Sequence, residues 1–161
     1  MCSSSFQRGW GIILVLFISV PFLVAGQGKT WTGNGGDGLW SNPVNWNDGI
    51  LPVASDDVLL DNGNLPGSYQ VFLPDLAVLV HTLTISPSSG NQIELILPAS
   101  NILNDAVTIS GPGYGLLLNA GAVFRNSSGT ASGESLHIAD SIRINNGARY
   151  IHNTRASHAA G

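Results

Sequence analysis

The sequence predicts an all-β fold: a right-handed parallel β-helix, or solenoid, behind an N-terminal cap rich in Trp and Gly. Three observations point there. Short apolar runs alternate with period two and carry β-branched residues, which is the strand pattern. Gly, Asn, Ser and Pro clusters separate them. Strand centres recur at roughly ten- to thirteen-residue intervals, a spacing that suits stacked coils. An antiparallel β-sandwich of the jelly-roll or immunoglobulin kind shares these features and stays open as the alternative.

Residues 1–26 read as a secretory signal peptide. Arg8 supplies the positive start, Ile12 to Ala25 is an apolar run, and Val24-Ala25-Gly26 offers small residues for cleavage. The run is shorter than the ~20 residues of a spanning helix, and Pro21 interrupts it. No membrane insertion is therefore expected after cleavage. Cys2 leaves with the leader, so the mature chain has no disulfide and depends on its core or on bound ions.

After residue 26 the basic residues are Lys29, Arg125, Arg143, Arg149 and Arg155, against ten acidic ones. Nucleic acid and anionic membrane need clustered Lys and Arg, so neither is expected as a partner.

Residues 27–64 form the expected cap. They hold Trp31, Trp40 and Trp46 among turn residues, then Leu51-Pro52 and Ser55-Asp56-Asp57-Val58-Leu59-Leu60. Residues 65–161 are read as solenoid coils. The strands expected in order are Val80–Ile85, Ile93–Leu97, Ala106–Ile109, Leu116–Leu118, Val123–Phe124, Leu136–Ile138, Ile142–Ile144 and Arg149–Arg155. Two segments share a corner grammar, Leu118-Asn119-Ala120-Gly121 and Ile144-Asn145-Asn146-Gly147. Asn and Gly at matching corners would let side-chain amides stack from coil to coil. No polar terminal cap follows Arg155, and a solenoid leaves its last coil open unless something covers it. The expectation is the front of a longer protein, a fragment truncated at its C-terminal end.

The segment Thr30-Trp31-Thr32-Gly33, Trp40-Ser41-Asn42-Pro43-Val44-Asn45-Trp46, Gly49-Ile50-Leu51-Pro52 and Asp56-Asp57-Val58 resembles the opening of large secreted bacterial surface proteins. Leu117–Phe124 and Ile144–Asn153 are similar to them too. That resemblance implies a parallel β-helix, an adhesin-like role and export to the cell surface, in many members by type IX secretion. No type IX sorting tail stands within these residues, so the resemblance leaves the route open. Related openings also begin autotransporter passenger domains.

The sequence offers few candidate sites. Trp31, Trp40 and Trp46 could stack on sugar, since indole supplies a large rigid face. The preferred reading has them plug the open end of the first coil, each buried indole N–H then finding a carbonyl. Asp37, Asp56, Asp57 and Asp61 could ligate calcium, the one cofactor envisaged. Asp and Asn holding turn N–H groups explain the same residues. His81 shares a face with Leu83 and reads as an inner histidine. His137, His152 and His158 are dispersed. Arg149, Tyr150, His152 and Arg155 form a polar cluster suited to a carboxylate or to a solvated face.

Asn126-Ser127-Ser128 fits a glycosylation acceptor, and Asp140-Ser141-Ile142 is similar to a bacterial O-glycosylation signal. No catalytic set stands out. Glycosidic cleavage needs paired carboxylates, and the later coils offer only Asp105, Glu134 and Asp140. The leading expectation is an exported, extracellular or surface-displayed structural, adhesion-like segment without its own catalysis. Its partners would be extracellular glycans or cell-surface components. Two alternatives are the N-terminal part of a polysaccharide-active β-helix enzyme and a calcium-stabilised carbohydrate-binding module.

Overall fold

The computed structural model describes residues 28–155. The signal peptide expected at residues 1–26, the loop expected after Arg155 and His158 lie outside them. Among the described residues the fold is a parallel β-solenoid of about four turns. No helix there is long and apolar enough to cross a membrane.

Among the described residues twelve strands make three faces. The first face stacks β1 (Gly28–Thr30), β2 (Asp57–Asp61), β5 (Thr82–Ser86), β8 (Tyr114–Leu118) and β11 (Ser141–Ile144). The second stacks β3 (Tyr69–Phe72), β6 (Ile93–Leu97), β9 (Ala122–Asn126) and β12 (Arg149–His152). The third stacks β4 (Val78–Val80), β7 (Val107–Ile109) and β10 (Leu136–Ile138). Each coil visits the three faces in turn, and every strand pairing is parallel. The sandwich alternative needed antiparallel pairs, so it falls.

Register turns the period-two pattern into inward rows, because alternate side chains leave a strand on opposite sides. On the first face Val58, Leu83, Leu116 and Ile142 align, as do Leu60, Ile85, Leu118 and Ile144. On the second, Val71, Leu95, Phe124 and Tyr150 align. On the third, Val78, Val107 and Leu136 align, beside Val80, Ile109 and Ile138. Through the first three coils these rows are almost wholly buried, apart from half-buried Leu136 and Ile138.

At the N-terminal end the rows continue into the cap. Lys29 takes the register position before Val58 and is buried, its ammonium paired with Asp48. The Trp31 amide donates to the Leu59 carbonyl, and the Trp40 amide to the Phe72 carbonyl. The cap thus adds a partial rung to two faces. β2, within the residues 27–64 read as the cap, pairs in parallel with β5 of the next coil.

The corners behave as the Asn-Gly grammar anticipated. Asn145 donates from Nδ2 to Asn119 Oδ1 at 2.7 Å, and Asn119 donates to Ser86 Oγ at 3.1 Å. Gly121 and Gly147 take φ of 85° and 84°, a backbone region that suits glycine. A Cβ on Gly121 would stand 2.4 Å from the Asn91 carbonyl oxygen of the preceding coil. The chain therefore turns there only with glycine.

One expected strand divides in two. Val80 ends β4 and Thr82 opens β5, with His81 on the bend between faces. His81 is thus not an inner histidine. Its ring stands at the surface, with Nδ1 2.8 Å from Asp57 Oδ1. The alternation ran through a corner, where inward and outward no longer follow parity. The sequence reading also left out β1 and β3. Val71 is the one fully inward side chain of β3, too little for a period to show.

Candidate functional site

The cap brings the three tryptophans together. Trp31, Trp40 and Trp46 are 1%, 3% and 2% exposed and belong to the core cluster. Trp46 meets Trp31 edge to face at 5.1 Å between centroids, and Trp40 likewise at 4.7 Å. Such pairs add about 0.5–1.5 kcal/mol each beyond their burial. Buried rings offer no face for a sugar to stack on. Trp46 Nε1 donates to the Trp40 carbonyl at 2.9 Å, as a buried indole should. Trp31 Nε1 departs from that expectation, being buried with no hydrogen-bond partner. An unsatisfied buried donor costs about 1–3 kcal/mol.

The four acidic candidates for calcium do not converge. Asp37 Oδ1 accepts from the Leu39 amide and from Asn45 Nδ2, and Oδ2 from Asn42 Nδ2. These donors, the Leu39 amide first, hold its carboxyl below the usual range. Asp56 Oδ2 accepts from the Val53 amide at 2.9 Å. Asp57 Oδ1 accepts from the Thr82 hydroxyl at 2.6 Å and meets His81, and these contacts lower its pKa, Thr82 foremost. Asp61 Oδ1 accepts from the Gly63 amide. Each carboxylate thus serves its own turn or its own coil-to-coil contact. Among the described residues no three His, Cys, Asp or Glu side chains gather as a metal set.

The other sequence candidates also separate. His137 lies 4.0 Å from Asp105 on the third face. Tyr150 points into the core row, meeting Phe124 edge to face, while Arg149 reaches Gln92 Oε1 at 3.4 Å. His152 bonds with Thr154, and Arg155 is exposed. The polar cluster of the last strand is therefore split between inside and outside. Asn126 is 1% exposed, its Nδ2 donating to the Ser135 and Tyr150 hydroxyls and its Oδ1 accepting from the Ser128 amide. That burial closes the Asn126-Ser-Ser acceptor to modification in the folded chain. Ser141 donates to Asp140, whose carboxyl is held low by the Gly113 amide and then by Ser141.

Two features escaped sequence reasoning. The first is a coil-to-coil network on the outside of the second face. Gln70 Nε2 donates to Glu94 Oε2 at 2.8 Å, and Arg125 Nε to Glu94 Oε1 at 2.8 Å. Glu94 is nearly buried beneath them. These residues stand 24 and 31 positions apart in the chain, so only coil register brings them together.

The second is a cavity of about 360 Å³ between the glycine turn of the cap and β3. Trp31, Asp37, Leu65, Tyr69, Gln70 and Phe72 line it, with Gly33, Gly36 and Gly38. All three glycines have positive φ. A Cβ on Gly33 would stand 2.6 Å from Leu65 Cδ2 and 3.3 Å from Trp31 Nε1. Burial raises the Tyr69 pKa, helped by nearby Asp61, so the phenol stays protonated and donates to the Asp61 carbonyl at 2.7 Å. A second hollow of about 400 Å³ adjoins it and shares Tyr69 and Gln70. An apolar hollow of about 370 Å³ lies elsewhere on the cap, beside Trp40, Leu51, Val53 and Leu76.

No family model, curated protein or solved structure matches the chain.

Proposed function

We propose that this chain is the capped leading end of an exported, surface-displayed structural β-solenoid, adhesion-like in role, onto whose open end a further β-coil stacks. One observation carries the reading. Ile142 and Ile144 occupy the same inward rows as Leu116 and Leu118, yet they are 46% and 47% exposed where those two are fully buried. Leu136, Ile138 and Tyr150 are only half-buried in their own rows. Apolar residues in core register, on strands that end their sheets among the described residues, form a template for parallel pairing. The opposite end differs, since Trp31, Trp40 and Trp46 cover it. Export is supported by the leader-like residues 1–26.

The test is sedimentation of the purified secreted chain over a concentration series. Self-association is expected, removed by the pair Ile142→Lys and Ile144→Lys with little change in melting temperature. A wild-type chain that stays monomeric and melts cooperatively at high temperature would sink the idea. The mass of the secreted product checks export and should place its first residue near Gln27.

A further inference from the structure

We propose that the open end of the solenoid is a docking surface for the cap of a second copy of this chain, so that copies stack head to tail. This stacking rests on the reading of that end as a template for pairing, and it names the surface that seats there.

Charge separates the two ends. Arg143, Arg149 and Arg155 stand on or just after the last two strands, and all three are exposed. Asp140 is the one acid between Leu136 and Arg155. The cap end has the opposite sign. Asp37, Asp48 and Asp57 are exposed there, while Lys29, the one basic residue between Gly28 and Asp61, is buried. Open end against open end would bring two sets of arginines to one joint, and like charges across an interface oppose it. Open end against cap sets arginines against carboxylates.

The outermost layer of the cap also offers apolar surface. The Thr32 amide donates to the Asn45 carbonyl and the Asn47 amide to the Thr30 carbonyl, with an antiparallel bridge between Trp31 and Trp46. Residues 45–47 therefore run along the edge of β1 that β2 leaves free. Val44 and Ile50 flank them, 54% and 60% exposed. Asp48 accepts from the Ile50 amide, and Asp37 from the side-chain amides of Asn42 and Asn45, so carboxylates border the apolar pair. The other end has the matching layout, exposed Ile142 and Ile144 with Arg143 between them. A contact between two different surfaces leaves a free cap and a free open end on every pair. Copies then add in line rather than close as a dimer.

Two variants of the full secreted chain test this by sedimentation. One is the open-end pair Ile142→Lys and Ile144→Lys. The other is a cap pair, Val44→Lys and Ile50→Lys, at exposed positions where melting should not change. The wild type should grow past a dimer as concentration rises. Each variant alone should associate at least roughly tenfold more weakly, the loss of one good contact. Mixed, the two should form a one-to-one complex, because the intact open end of one meets the intact cap of the other. That complex should weaken between about 0.01 M and 1 M salt, as the screening length falls from ~30 Å to ~3 Å. The head-to-tail contact is overturned, with the open end still a pairing surface, by any of four results: a wild type that stops at a dimer, a cap variant as tight as wild type, a mixture without the one-to-one complex, or a complex indifferent to salt. A wild type that is monomeric throughout overturns both readings.

Discussion

Trp46 touches both of its aromatic neighbours edge to face and gives its indole N–H to the Trp40 carbonyl. Trp46→Ala removes two ring contacts and a buried hydrogen bond together. The expected loss is about 3–5 kcal/mol, the range for a large aromatic truncated in a core. A urea melt reads it, and a loss below ~1 kcal/mol would mean that the rings do not hold the end of the solenoid. The acidic residues act differently. Asp37, Asp48, Asp57 and Asp140 all have lowered pKa, from donors that favour the charged form. Their stabilisation is complete above the unfolded carboxyl pKa of about 3.9 and is lost as pH falls through the lower folded values. Urea midpoints should hold steady from neutrality down to about pH 5 and drop below pH 4. Asp37→Asn should lower the midpoint at neutral pH and shrink that drop. An unchanged acid profile in this variant would show that the cap carboxylate contributes nothing.

The strands that sequence could place are those with two or more inward apolar residues, such as Ile93–Leu97 and, within β8, Leu116–Leu118. Two points on a period are enough to see it. Corners were legible wherever Asn and Gly recur, because the turn needs positive φ and the amide needs a partner in the next coil. Gly121→Ala tests this at the level of the corner. It combines a left-handed φ with a clash against the Asn91 carbonyl, so it should cost well above ~1 kcal/mol. Asn119→Ala removes the two amide bonds to Ser86 and Asn145 and should cost about 1–2 kcal/mol. Equal melting of both variants and wild type would refute the corner ladder. His81 shows where the pattern stops informing. Alternation assigns faces along a strand and says nothing once the chain bends between sheets.

The molecule as a whole is asymmetric along its axis. One end is covered by three buried rings and the Lys29–Asp48 pair, while the other shows Ile142 and Ile144 in core register. Asp48→Ala leaves the buried Lys29 ammonium without its counter-charge, and the melting temperature should fall by several degrees; an unchanged value would remove the pair from the account. The all-β class, the coil repeat, the Trp cap and the corner amides were all written in local pattern. Strand period and turn chemistry depend on neighbours within a few residues, so one sequence suffices to see them. The Gln70–Glu94–Arg125 network, the burial of Asn126, the dispersal of the four aspartates and the cavity beside Trp31 were decided by tertiary structure alone. The network and the Asn126–Tyr150 bond join residues 24 to 31 positions apart across coils, and the cavity needs the cap to fold back over the first coil. Register between coils is fixed by the packing of the whole core, and no single segment carries it.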